Sequence, residues 1–113
     1  MAAFDALGYE GKLLLALNHP MPEHRMLAIQ LLGERKSRPA VSAFAIIIEE
    51  EEDPYVLRAI AQALAQIGDE PSRVLLARLS RHPSVIVHRS AEDALQAMLR
   101  GGPEDHQSLP EGK

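Results

Sequence analysis

The chain has no cysteine and no tryptophan, and aromatic residues make up only 4% of its 113 positions. The missing thiols exclude disulfides, iron–sulfur clusters and thiol catalysis. The scarcity of rings leaves Leu, Ile, Val and Ala to build the core. Positive charge is not in excess either. The formal net charge is -4, so no global field draws the chain to DNA, RNA or an anionic membrane. No apolar run approaches the ~20 residues that span a bilayer. The opening segment, MAAFDALGYEGKLLLALNHP, carries Asp5 and Glu10, and its apolar run from Leu13 to Leu17 is shorter than the ~7–15 residue core of a signal peptide. A cytoplasmic, single-domain protein is the expectation.

What the chain does have is punctuation. Prolines and glycines divide it into six segments with helical spacing. The first helix lies around Tyr9 to Leu17, with a start from Phe4 weakened by Gly8 and Gly11. NHPMP (Asn18 to Pro22) turns the chain into a second helix ending near Gly33. Ser37 is placed to cap a third helix, with Pro39 in its first turn. Asp53-Pro54 starts a fourth, and Gly68 suits the left-handed stop of that helix. Asp69, Glu70 and Pro71 start a fifth that runs to about Arg81, and RHPS starts a sixth that ends at Gly101-Gly102.

Leu57, Ile60, Ala61, Leu64 and Ile67 form one apolar stripe at helical spacing, as do Val87, Ala91, Ala94, Leu95 and Met98. Ile46-Ile47-Ile48 has the β-branched composition of a strand. Yet Val41, Phe44, Ala45 and Ile48 keep helical phase, and a helix apolar nearly all round predicts burial between neighbours.

Pro20, Pro54 and Pro83 each open the second helix of a pair, at separations of 34 (54 minus 20) and 29 (83 minus 54). AIQLLGE from Ala28 matches ALAQIGD from Ala63, and ALQAMLR from Ala94 matches both except that Leu99 replaces the glycine. Three helical-hairpin repeats follow, at roughly 1–34, 35–68 and 69–100, with 101–113 (GGPEDHQSLPEGK) as a flexible C-terminal tail. The alanines at 59, 61, 63 and 65 let neighbouring helices approach closely.

DPYVLRAIAQALAQIGDEP, HPMPEHRMLAIQLLGER and, in part, HPSVIVHRSAEDALQAML resemble the HEAT-like repeat family, in particular the short bacterial type named after bilin-lyase subunits. The resemblance covers nearly the whole chain up to Arg100. It implies an all-α, right-handed α-α superhelix, a short solenoid of three HEAT-like helical hairpins. It also implies that Arg25, Arg58 and Arg89, near the starts of the second helices, join a ladder between repeats. Asp53 and Asp69 are the expected partners, and on that reading Arg58→Glu unfolds the domain.

Other candidates have plainer readings. The acids from Glu49 to Asp53 suit a solvated rim better than a site for a basic partner. Among the histidines, His24 follows Glu23, the reverse of the His-Glu order of iron-binding HEAT-like hydroxylases. His19 and His82 precede prolines, and His88 with Glu92 is a helix-surface pair without a third ligand. Tyr9 and Tyr55 are lone phenols, Ser80, Ser84 and Ser90 lack a base at a diagnostic spacing, and Glu92-Asp93 are neighbours rather than opposed carboxylates. No catalytic residue, metal site or cofactor is expected. HEAT-like DNA glycosylases use long arrays with aromatic and basic residues facing DNA, which this short acidic chain lacks.

The expected function is a non-catalytic scaffold or adaptor, a monomer or weak homodimer. It binds a partner helix or peptide on the face lined by the second helices, some ~20–30 Å across at ~8–10 Å between helices. Helix phase places Glu23, Arg25 and Gln30, then Tyr55, Arg58, Gln62 and Gln66, then His88, Arg89, Glu92 and Gln96 on that face. The alternative, from the bilin-lyase likeness, is an accessory enzyme subunit that holds a tetrapyrrole or a carrier protein. A nucleic-acid face would require Arg35, Lys36, Arg38, Arg73, Arg78 and Arg81 to lie together.

Overall fold

The computed structural model describes residues 8–100. Six helices follow in order: α1 (Gly8–Ala16), α2 (Pro22–Glu34), α3 (Arg38–Glu50), α4 (Pro54–Ile67), α5 (Glu70–Leu79) and α6 (Val85–Leu99). There is no strand among the described residues. The expected tail, the start from Phe4 and the stop at Gly101-Gly102 lie outside them. The architecture is an all-α helical-repeat solenoid. The second helices carry it: α4 packs along α2 on one side and α6 on the other, while α1, α3 and α5 form the outer layer. None of the described helices is long and apolar enough to cross a membrane.

The stripe that the sequence assigns to α4 is the centre of the core. Leu57, Ile60, Ala61 and Leu64 are fully buried and Ile67 nearly so, joined by Val56 and Ala63. Seven buried residues on one helix require neighbours on three sides, and α2, α5 and α6 supply them. On α6, Val87, Ala91 and Ala94 are buried, while Leu95 and Met98 pack against the core from its edge.

Helix α3 differs from expectation. Its Ile46–Ile48 run is helical, but it is not enclosed: Ile46 is 65% exposed. Ala40, Val41 and Phe44 are its buried positions, because α3 touches α4 and α5 along a single face.

The turns before the second helices share one device. Asp53 Oδ1 accepts the backbone N–H of Tyr55 at 2.9 Å. His19 Nδ1 accepts that of Met21 at 3.0 Å, and His82 Nδ1 accepts that of Ser84 at 3.0 Å. In each case the residue before a proline holds the amide two positions on. The ring nitrogen does what an Asx side chain does at a helix entry.

Two caps depart from or extend the sequence reading. Ser37 stands at the N-cap position of α3 but makes no side-chain cap there. Its hydroxyl donates to Glu10 Oε2 at 2.8 Å and ties α1 to the α3 entry instead, since an ionised carboxylate is a stronger acceptor. Asp69 caps α5 as expected, accepting from the Ser72 amide at 2.9 Å.

Gly68 ends α4 in the left-handed region, with φ 69 and ψ 14, and its N–H reaches the Leu64 carbonyl. An added Cβ would find ordinary space there, the nearest atom being the Ala65 carbonyl oxygen at 3.5 Å, so the demand for glycine is conformational rather than steric. Gly68→Val is therefore expected to destabilise by about 1–2 kcal/mol and Gly68→Asn by much less. Urea unfolding of the two variants measures this, and equal midpoints would refute the conformational argument.

Candidate functional site

The second helices enclose a groove of about 820 Å³. Its floor is the exposed strip of α4: Tyr55, Arg58, Gln62 and Gln66, with the half-buried Ala59 and Ala65 between them and the buried Ala63 at its base. This strip is what remains of α4 once its other sides are buried. Helix α2 contributes Met26, Gln30 and Glu34, three residues at four-residue spacing on one face. Helix α6 contributes Ser90, Asp93 and Ala94.

Of the residues that the sequence places on this face, Gln30, Tyr55, Arg58, Gln62 and Gln66 come together in the groove. The others do not line it. Glu23 is exposed at the first turn of α2, and Arg25 turns toward the α3–α4 junction. His88 Nδ1 donates to the His82 carbonyl at 3.2 Å and belongs to its own turn. Arg89, Glu92 and Gln96 are exposed on a neighbouring strip of α6, one residue out of phase with Ser90 and Asp93. The apolar stripe of α6 leaves both flanking strips open among the described residues, and these three residues lie on the one that does not line the groove. Met26 and Glu34 were accessible to sequence reasoning as the four-residue neighbours of Gln30.

The arginine series splits. Arg25 is the junction residue. Its Nη1 donates to the carbonyls of His19 (3.0 Å) and Pro20 (3.1 Å), and its Nη2 lies 3.3 Å from the Glu51 carboxylate. Glu51, not Asp53 or Asp69, is the acid it meets, because those two aspartates are engaged as helix caps. Arg58 departs from the expected ladder. It is exposed, its guanidinium lies 5.2 Å from the centre of the Tyr55 ring, and it makes no ion pair among the described residues. Arg89 is likewise exposed and without an ion pair among them.

The acidic run is also more structural than a solvated rim. Glu49 forms an exposed pair with Arg78 of α5, Glu51 pairs with Arg25, and Asp53 caps α4, so Glu51 and Asp53 hold the α3–α4 turn while Glu50 and Glu52 face solvent. Arg73 is paired with Glu70. Arg73 and Arg78, which a nucleic-acid face would recruit, thus already have acidic partners. Glu34 accepts from the Gln30 amide at 3.3 Å. No group of three or more metal-ligating side chains is assembled among the described residues.

The residues that line the groove fall within residues 11–96, which match the family model for HEAT repeats. Comparison with curated proteins and with solved structures returns no match. The matched segment takes in most of α1, all of α2 to α5 and most of α6. The chain belongs to the HEAT repeat family.

Proposed function

We propose that this protein is a non-catalytic scaffold or adaptor that binds a helix or peptide segment of a protein partner in the groove of the second helices. HEAT repeats commonly mediate protein–protein interaction, and the family is generally one of scaffolds. The observation that carries the proposal is the exposed strip of α4. Its polar members Arg58, Gln62 and Gln66 open into one groove, and Arg58 has no carboxylate among the described residues. A long cation held against a ring without an acidic partner is available to a second molecule at little cost in rearrangement. The proposed setting is the bacterial cytoplasm, with the protein a monomer or a weak homodimer.

Arg58→Glu tests the reading. The side chain is exposed and its replacement disturbs no ion pair, so stability is expected to stay within about 0.5 kcal/mol of the parent. Capture of partner protein from native lysate is expected to fall at least tenfold. An unfolded variant would return Arg58 to a role in the junction. A folded variant that captures the same partner as well as the parent would remove the groove from the proposal. The accessory-subunit alternative has its own readout: titration with a tetrapyrrole would shift the pigment's absorption spectrum.

A further inference from the structure

Arg58, Gln62 and Gln66 follow one another along α4 at four-residue spacing, and all three open into the groove. Four helical residues advance about 6 Å. An extended peptide advances about 6.6–6.8 Å over two residues, and each two-residue step returns to the same side of the chain. The mismatch is under about 1 Å per step, within the play of an Arg or Gln side chain.

The chemistry of the strip matches as well as its pitch. The amides of Gln62 and Gln66 have no hydrogen-bond partner among the described residues. A primary amide offers one acceptor oxygen and two N–H donors, complementary to the C=O and N–H of an extended backbone. A helical partner uses up its own backbone groups except at its ends and leaves such amides only side chains to meet. The apolar lining points the same way. The half-buried Ala59 and Ala65 supply methyl groups against which a backbone can lie close, with Ala63 and Ala94 buried beneath them, whereas the anchors of an amphipathic helix insert into a hydrophobic groove.

Charge fixes one end. The Arg58 guanidinium is held over Tyr55 and lacks a carboxylate among the described residues. At the other end Glu34 follows Gly33, which abuts the Gln66 side chain.

We infer that the groove takes an extended peptide segment running along α4, with an acidic side chain on Arg58 and its backbone hydrogen-bonded to Gln62 and Gln66. The inference rests on the groove being the binding site.

The test is selection of a phage-displayed random dodecapeptide library on the full chain, with affinities then measured on the synthesised peptides. Selected peptides are expected to share an Asp or Glu at one position. Arg58→Gln is expected to weaken them about tenfold or more, and Gln62→Ala with Gln66→Ala to a similar degree. N-methylation of alternate backbone amides is expected to abolish binding in one register and spare it in the other. Circular dichroism establishes that each variant is folded. Peptides that bind more tightly when stapled into a helix, or that tolerate loss of the acid, would overturn the inference while leaving the groove as the site. Failure to enrich any peptide, or peptides indifferent to all three groove substitutions, would overturn both.

Discussion

Gly33→Leu is expected to lower the thermal unfolding midpoint by about 10 °C or more. Gly33 lies inside α2, where it faces the middle of α4. A Cβ built on it would sit 2.8 Å from both Cα and Cβ of Ala63 and 2.6 Å from Gln66 Oε1. The Gln66 side chain can move aside, but the Ala63 backbone cannot move unless the two helices separate. Gly33→Ala sets two effects against each other. Alanine improves helix propensity by about 1 kcal/mol, and overpacking costs about 1–3 kcal/mol. Because the clash is with backbone, the cost is expected to win, so Gly33→Ala also destabilises, though less than Gly33→Leu. Ala63→Gly in the Gly33→Ala background removes one of the two close contacts and is expected to restore part of the loss. Scanning calorimetry of the three variants measures this. A Gly33→Ala protein as stable as the parent would mean that α2 and α4 can part without loss.

Gly33 also marks where the sequence stops being legible. Gly33 and Gly68 occupy matching places in AIQLLGE and ALAQIGD, and both read as helix stops. Gly68 is one, in the left-handed region. Gly33 is not: α2 continues to Glu34, and the left-handed residue at that turn is Lys36, with φ 53. The same letter serves a dihedral requirement in one repeat and an interhelical distance in the other. Local rules reveal the first, while the second depends on how two distant segments cross.

A similar divide runs through the rest of the chain. Caps by Asp53 and Asp69, the stripe of α4 and the hairpin count are local or periodic, and all were readable. Ser37 is a cap by sequence, but a carboxylate from α1, 27 residues away, takes its hydroxyl. The composition of α3 predicts enclosure, yet it has neighbours on a single face and Ile46 is left in solvent. On α4 the candidate groove residues were identifiable because burial on three sides leaves one strip, so helix phase has a single answer. On α6, the last of the described helices, the described residues leave two strips open, so helix phase has no single answer there and points to Arg89 and Glu92, while Ser90 and Asp93 line the groove.

Arg25→Glu is expected to cost about 3–5 kcal/mol, enough to leave a domain of this size at the edge of folding. Arg25 and Glu51 retain only 18% and 12% of their side-chain exposure, so water screens the pair weakly. The guanidinium also holds the carbonyls of His19 and Pro20, which makes one side chain the clasp between the α1–α2 turn and the end of α3. Charge reversal would place a second carboxylate beside Glu51 and leave two carbonyls without their donor. Arg25→Met keeps much of the aliphatic stem and is expected to cost less, since Glu51 Oε2 still accepts the Asp53 backbone N–H at 3.1 Å. Arg25→Lys keeps the charge but not the planar fork, and falls between the two. Combining Arg25→Met with Glu51→Gln should recover stability relative to Arg25→Met alone, because it removes the charge left without its cation while the amide oxygen can still accept the Asp53 N–H. The comparison that decides is with Arg58→Glu, the same change at the arginine near the start of the next repeat's second helix. If arginines in these places served one structural ladder, both reversals would unfold the domain. The contacts of Arg25 and the exposure of Arg58 instead predict a collapse for the first and an unchanged unfolding midpoint for the second. Urea denaturation of the two variants side by side separates these outcomes, and equal losses of stability would restore the ladder.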